Sequence, residues 1–443
     1  MHNSQFTIHN TAVRRILLSI MTFLCVGLLF AQDFSDDDFF FNDDDGIIEM
    51  EEVAAPKTDL ARGVLFETGS VKIGGTFDLS LTTLTTFSKD KVFKDELKDT
   101  LLLPTAGASL TVDARPTENL RMYMKTGIAY PFVTAGNAAL MGNPIKLPGL
   151  LFQSPEDITI PTLISNDMSL RNMFYVKELF SDFNLGQNVA IRFGKQTVTW
   201  GVGYFYSPSD VINLTQIDPE NPTAQVEGPL CLRSQIVFPG TQAAIYSYII
   251  PDTSLNITSN GLGVMARDTA LAAKGEYVIG GWEIGGGAWY KYQNPSRLTA
   301  TASGTIFNKI SVFGEAVFAF DQDTKFGQGT AGFMYNWKTP EITFMGQYYF
   351  NGDESAKEAF TGAYGQNAAI AINFGKILNK KVTANIFGIS NFTNETTIAS
   401  AMLNYNPVNE LKLSAGPYIM WKDYNEQPVI SAKTTITLGG GKF

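Results

Sequence analysis

From Val71 almost to the C-terminus the chain alternates apolar and polar residues with a period of two, broken by turns of alternating length. Val71, Ile73, Phe77, Leu79 and Leu81 are apolar, while Lys72, Gly74, Thr76, Asp78 and Ser80 between them are polar or small. Successive side chains of a strand point to opposite faces, so each run makes a ribbon that is greasy on one side and wet on the other. More than a dozen such ribbons behind a secretion-type leader predict that the greasy side meets lipid rather than a protein core. The expected fold is all-β: a transmembrane antiparallel barrel of eighteen strands, with sixteen as the alternative and both termini periplasmic.

The leader is residues 1–31. Arg14 and Arg15 precede the apolar run Ile16 to Phe30, and Ala31 follows, which is the order of a cleaved secretory signal peptide. Cys25 lies inside that run rather than at its end, which speaks against a lipid-anchored cysteine. Beyond it no apolar stretch reaches the ~20 residues of a spanning helix. A spanning chain without such helices must close its backbone hydrogen bonds between strands.

Residues 32–63 form a distinct acidic segment, with eleven Asp and Glu against Lys57 and Arg62. Like-charged and low in complexity, it is expected to be disordered and periplasmic. Its Phe34, Phe39, Phe40 and Phe41 read either as a docking motif or as part of a plain flexible leader. The barrel then occupies residues 64–443. Removal of the leader takes His2, His9 and Cys25, leaving Cys231 and no histidine. Ser-His-Asp and Cys-His catalysis and histidine-ligated zinc are thereby excluded. The expectation is a protein that is no enzyme, needs no cofactor or metal and binds no nucleic acid.

Tight links such as Arg115–Asn119, Lys338–Glu341 and Asn406–Glu410 alternate with long ones such as Ser88–Thr105, Pro131–Ser169 and Gly201–Cys231. This is the asymmetry of an outer-membrane barrel, with tight turns at one rim and long loops at the other. The final run (Ile430, Ala432, Thr434, Ile436, Leu438) ends in an aromatic, Phe443, a feature similar to the signal read by the barrel-insertion machinery. Phe443 is off the beat of Leu438, and Gly439–Gly441 could hold a bulge that resets it. Gly327-Gln-Gly329-Thr-Ala-Gly332 matches the G-x-G-x-x-G pattern but opens a strand, so it is no nucleotide site.

Opposite the apolar positions, the strands place Arg121, Lys125, Arg171, Lys177, Arg192 and Arg233 inward, and farther along Glu276, Glu283, Glu315 and Lys274. A basic arc would thus face acidic residues across a lumen, where charge sets ion preference and orients polar solutes. The passage from Arg192-Phe-Gly-Lys-Gln196 through Trp200-Gly, Pro208, Asp210-Val-Ile-Asn213 and on to Pro229 resembles the strand-to-loop passage of porin-like barrels related to the alginate-export group. That resemblance implies a large solute channel in which Arg192 and Gln196 face the lumen. Trp200 would sit at the rim, and Asp210 and Asn213 in a loop folded at or into the mouth. The alginate-binding basic run of that group is not reproduced, so polysaccharide export does not follow. The expected function is passive diffusion of small hydrophilic solutes across the outer membrane, the lipid bilayer being its principal partner. The alternatives are a transporter of hydrophobic ligands, suggested by the apolar Pro148–Phe152, and a surface adhesin.

Overall fold

The computed structural model describes residues 66–68, 70–87, 100–130, 174–186, 188–214, 217, 222, 226, 228–252, 266–320, 325–357, 364–378, 381–408, 410–421 and 423–442. The leader, the acidic segment, Pro148–Phe152, Arg171 and Phe443 lie outside them.

The strands, in chain order, are β1 (Phe66–Thr68), β2 (Val71–Phe87), β3 (Leu101–Thr117), β4 (Leu120–Tyr130), β5 (Phe174–Leu185), β6 (Val189–Lys195), β7 (Leu230–Phe238), β8 (Ala243–Asp252), β9 (Ala270–Ile279) and β10 (Trp282–Tyr290). They continue as β11 (Ser296–Ile306), β12 (Ile310–Phe320), β13 (Phe326–Trp337), β14 (Ile342–Asn351), β15 (Gly365–Leu378), β16 (Val382–Asn391), β17 (Thr396–Val408), β18 (Leu411–Trp421) and β19 (Val429–Lys442). From β2 to β19 each strand pairs antiparallel with the next, and β19 returns to β2 through pairs such as Ile436↔Leu81, which closes the ring. The ring has eighteen strands, as the alternation predicts. The three residues of β1 pair with Val71–Ile73, below the point where β19 ends opposite Thr76, and so cover the seam. Closure leaves no edge with unpaired N–H and C=O groups, the condition for placing strands in hydrocarbon.

The two-residue beat becomes an outside and an inside. Leu79, Leu110, Phe193, Ile245, Leu271, Leu298, Leu403 and Ile436 stand exposed on the outer face. Trp282, Trp337, Tyr277, Phe238 and Tyr405 are exposed near the short-turn rim; Tyr290, Phe318, Phe350 and Phe87 are exposed near the long-loop rim. Such apolar exposure would be untenable in water but matches a hydrocarbon band flanked by aromatic belts.

Some strands run farther than the turn residues suggest. β3 begins at Leu101, so Pro104 lies within it, opposite Leu81. β4 reaches only as far as Ala106, so the N–H that Pro104 lacks is not missed on that side. β3 also runs through Pro116 and β17 through Pro407, each at a register shift (Ala114/Thr117 and Tyr405/Val408), where a bulge takes the proline out of the ladder. The shift in β19 falls between Gly439 and Gly441, where the glycine run pointed. The Gly327–Gly332 motif lies wholly inside β13.

Candidate functional site: a segment docked inside the barrel

After Lys195 the chain leaves the ladder, and residues 196–214 turn into the lumen instead of crossing above the rim. The entry is tied to the exit: the Gln196 amide donates to the Pro229 carbonyl (3.1 Å), and Gln196 Nε2 donates to the Cys231 carbonyl (3.2 Å). Asn213 closes the fold of the segment on itself, taking a hydrogen bond from the Val198 amide (3.0 Å) and giving one from Nδ2 to Asp210 Oδ2 (2.8 Å).

Three wall residues then hold the segment down. Glu315 on β12 is the principal anchor. Its Oε1 accepts from the amides of Val202 (2.6 Å) and Gly203 (2.5 Å) and from Ser207 Oγ (3.0 Å). Its Oε2 accepts from the amide (2.9 Å) and the hydroxyl (2.7 Å) of Ser209. Charged acceptors make hydrogen bonds about twice as strong as neutral ones, and the carboxylate fills its lone pairs with this one segment. Gln347 on β14 takes the Phe205 amide on Oε1 (2.7 Å), and its Nε2 donates to the Tyr206 carbonyl (2.5 Å) and to Thr330 Oγ1 (2.6 Å). Lys274 on β9 donates to the Trp200 carbonyl (2.6 Å) and forms an ion pair with Glu276.

Packing completes the dock. Trp200 is 0% exposed, edge-on to Tyr248 (5.3 Å), with its Nε1 donating to Thr299 Oγ1 (3.3 Å). The wall admits the indole because residue 287 is glycine, where a Cβ would lie 2.7 Å from the ring. Tyr206 stacks on Tyr349 (4.9 Å), and Phe205 meets Phe387 of β16 (6.0 Å). The segment therefore leans on the wall from β7 to β16 and narrows the lumen from that side.

The residues picked from the sequence fall into distinct places. Trp200 is fully buried rather than exposed at an edge, set in the Gly287 niche toward the long-loop ends of β8, β10 and β11, where the indole loses its contact with water. Gln196 is likewise fully buried, serving the root of the segment with its Oε1 left unpartnered. Glu315 points inward but is 5% exposed, covered by the segment it anchors. Asp210 and Asn213 bond to each other inside the segment. Arg121, Lys125, Arg192, Arg233, Glu276 and Glu283 lie on the inward face of their strands; Lys177 sits at the bulge between the Lys125↔Glu178 and Thr126↔Val176 pairs.

The basic residues do not form a free arc facing acids across the lumen. Arg121 holds Asp113 through two bonds (3.0 and 2.9 Å), and Arg192 holds Asp182 (2.6 Å), each on the neighbouring strand. Arg192 also lies over the Phe180 ring at 4.0 Å. Arg233 gives a bond to Gln235 (3.2 Å) and lies over Tyr246, with its buried Nε unpartnered. Sequence reasoning missed Gln347, Thr299 and the Tyr206–Tyr349 stack. A single Gln amid Phe344, Met345, Tyr348 and Tyr349 was the one available sign.

Burial pushes the Asp210 carboxyl up to about 7, against the bonds from Asn213 that pull it down, with the nearby Glu315 charge adding to the rise. The residue is only half-buried, but its carboxyl turns inward onto Asn213. A folded-state value above the ~4 of a free aspartate favours docking when the group is protonated. That contribution is full below pH ~4 and is lost as pH rises through about 7. Docking, read as hydrogen-exchange protection of residues 198–213, is therefore expected to weaken between pH 5 and pH 8. Asp210→Asn should flatten this profile; a profile unchanged by the substitution would contradict the assignment.

No protein-family model matches the chain, and no curated protein matches it. Among solved structures, OccK9 (OpdG) of Pseudomonas aeruginosa is similar with a TM-score of 0.51 at 8% identity, over 83% of this chain and 98% of that one. OccAB4 of Acinetobacter baumannii aligns with a TM-score of 0.49 at 10% identity, over 85% of this chain and 99% of that one. A BenF-like porin from Pseudomonas fluorescens Pf-5 aligns at 0.49 and 9% identity, over 84% and 98%. At such identities the likeness to OccK9 speaks to fold alone, that of a closed antiparallel β-barrel.

Proposed function

We propose that the protein is an outer-membrane channel through which small hydrophilic solutes diffuse passively. The observation that carries this is the placement of residues 196–214: inside the ring, fastened by Glu315 and Gln347 to one part of the wall. Eight strands fill their own interior with side chains, whereas a ring of sixteen to eighteen leaves an aqueous passage that such a segment narrows. The barrel fold shared with OccK9 (OpdG) agrees with this reading. In this reading the short-turn rim and both chain ends face the periplasm, and residues 1–31 are the cleaved leader. The final strand with Phe443 is what the insertion machinery recognises. Arg121, Lys125, Lys177, Arg192, Arg233, Glu276 and Glu283 line or border the passage. Transport by diffusion requires no catalytic group.

Purified barrel reconstituted in a planar bilayer should give stepwise, ohmic current in KCl. A silent barrel that instead binds a fatty acid would overturn this reading in favour of hydrophobic-ligand transport.

A further inference from the structure

The inner wall from β16 round to β3 has a chemistry of its own. Its inward positions are mostly hydroxyls and amides that bond one another across strands: Thr76 to Ser109 (2.6 Å), Ser80 to Thr105 (2.7 Å) and Thr82 to Thr435 (3.0 Å). Ser414 donates to Asn404 (2.7 Å), whose Nδ2 donates to Asn385 Oδ1 (3.0 Å). A hydroxyl pair of this kind shares one proton and keeps a second proton and spare lone pairs for a visitor. The docked segment leans on the strands from β7 to β16, so residues 196–214 leave most of this surface uncovered.

Two described carboxylates stand on it: Asp113, which Arg121 holds, and Asp78, on the same face as Thr76 and Ser80. The register neighbours of Asp78 on both sides are glycines, Gly107 on β3 and Gly439 on β19, and its carboxylate lies over Gly107. Among the side chains that the structure describes, no cation and no hydrogen-bond donor engages that carboxylate, in contrast to Asp113, Asp182 and Glu315. Lys433, one of two lysines of the adjoining strand, lies over the Tyr418 ring at 5.7 Å. The two glycines thus leave room beside the two oxygens of Asp78 among the hydroxyl pairs, with Lys72, Lys412 and Lys433 farther along the same inward face.

We propose that this wall is the solute-selecting surface, and that it selects neutral polyhydroxylated solutes (sugars or polyols), with Asp78 accepting two adjacent solute hydroxyls. A carboxylate accepts such a pair through two charge-assisted bonds while repelling an anion of the same size. The hydroxyl ladder offers the weak, repeated contacts that let a solute move on. The inference deepens the channel reading and rests on it.

The test uses the full barrel in planar bilayers and in proteoliposomes, with glucose, mannitol and the similarly sized anion gluconate. Glucose and mannitol should pass several-fold faster than gluconate, and glucose should partly block the KCl current. Asp78→Ala should raise the half-blocking glucose concentration by about tenfold and speed gluconate. Asp78→Asn, which keeps one acceptor oxygen, should raise it less, and it carries the test alone if the alanine variant does not assemble. Gluconate passing as fast as glucose, or glucose block unchanged in the variants, overturns the inference and leaves the channel reading standing. A wild-type barrel with no current and no solute flux would remove the channel reading, and this inference with it.

Discussion

Glu315→Ala releases the segment from Val202 to Ser209: that is the largest effect expected of any single substitution in this barrel. Five donors converge on the two oxygens of Glu315, and alanine leaves all of them facing a wall with nothing to accept. A buried donor stripped of its partner costs about 1–3 kcal/mol, so even partial rehydration leaves a penalty of several kcal/mol. The strands that carry the residue lose only a side chain, so the ring itself should still form. Mass mapping of chymotryptic cuts at Trp200, Tyr204, Phe205 and Tyr206 reads the release directly. The wild type should resist at these sites and the variant should be cleaved, with a larger and noisier single-channel current. Glu315→Gln keeps one acceptor oxygen and should fall between. A fully protected alanine variant would mean that packing alone holds the segment.

Trp200→Ala tests that packing. The indole is enclosed completely, against Tyr248 and Gly287, and removing so large a buried side chain costs about 3–5 kcal/mol. Expressed locally, amides between Val198 and Asn213 should lose about a hundredfold or more of their hydrogen-exchange protection, each 1.4 kcal/mol being a factor of ten. Protection of β9 and β12 should change far less, because their ladders do not depend on the segment. Gly287→Ala should act in the same direction, since its methyl would lie 2.7 Å from the ring. If Gly287→Ala leaves the segment as protected as before, the niche is not what seats the indole.

The two experiments separate electrostatic fastening from apolar seating. Both anchors are needed for a physical reason. A backbone running through a lumen cannot use a β-ladder for its N–H groups, so it must find side-chain acceptors or water. Glu315 and Gln347 supply those acceptors for Val202, Gly203, Phe205 and Ser209, and the tryptophan and tyrosine faces supply the burial. Ordering this segment therefore rests on long-range pairs such as Val202 with Glu315 and Phe205 with Gln347, and not on local turn chemistry.

The barrel was legible in the amino-acid sequence because its information is local. Alternation in Val71–Leu81 or Ile430–Leu438 states which side chains share a face, and closure of the backbone in lipid then leaves a barrel. The strand number and the glycine-rich shift in the last strand were legible for the same reason. The same alternation assigned Arg121, Arg192 and Glu315 to the face opposite the apolar one. What each of them meets there was not legible, because partners such as Asp113 for Arg121 or Ser209 for Glu315 depend on register and on a chain crossing the lumen. Trp200 shows the limit most sharply. The resemblance to porin-like barrels puts it at the rim, but its burial against the glycine at position 287, brought opposite by the closure of the ring, is nowhere in the local sequence. The period of two determined the wall; which lumen charges remain unpaired, and what narrows the passage, was decided by the tertiary structure, since those contacts join residues that neither propensity nor spacing connects.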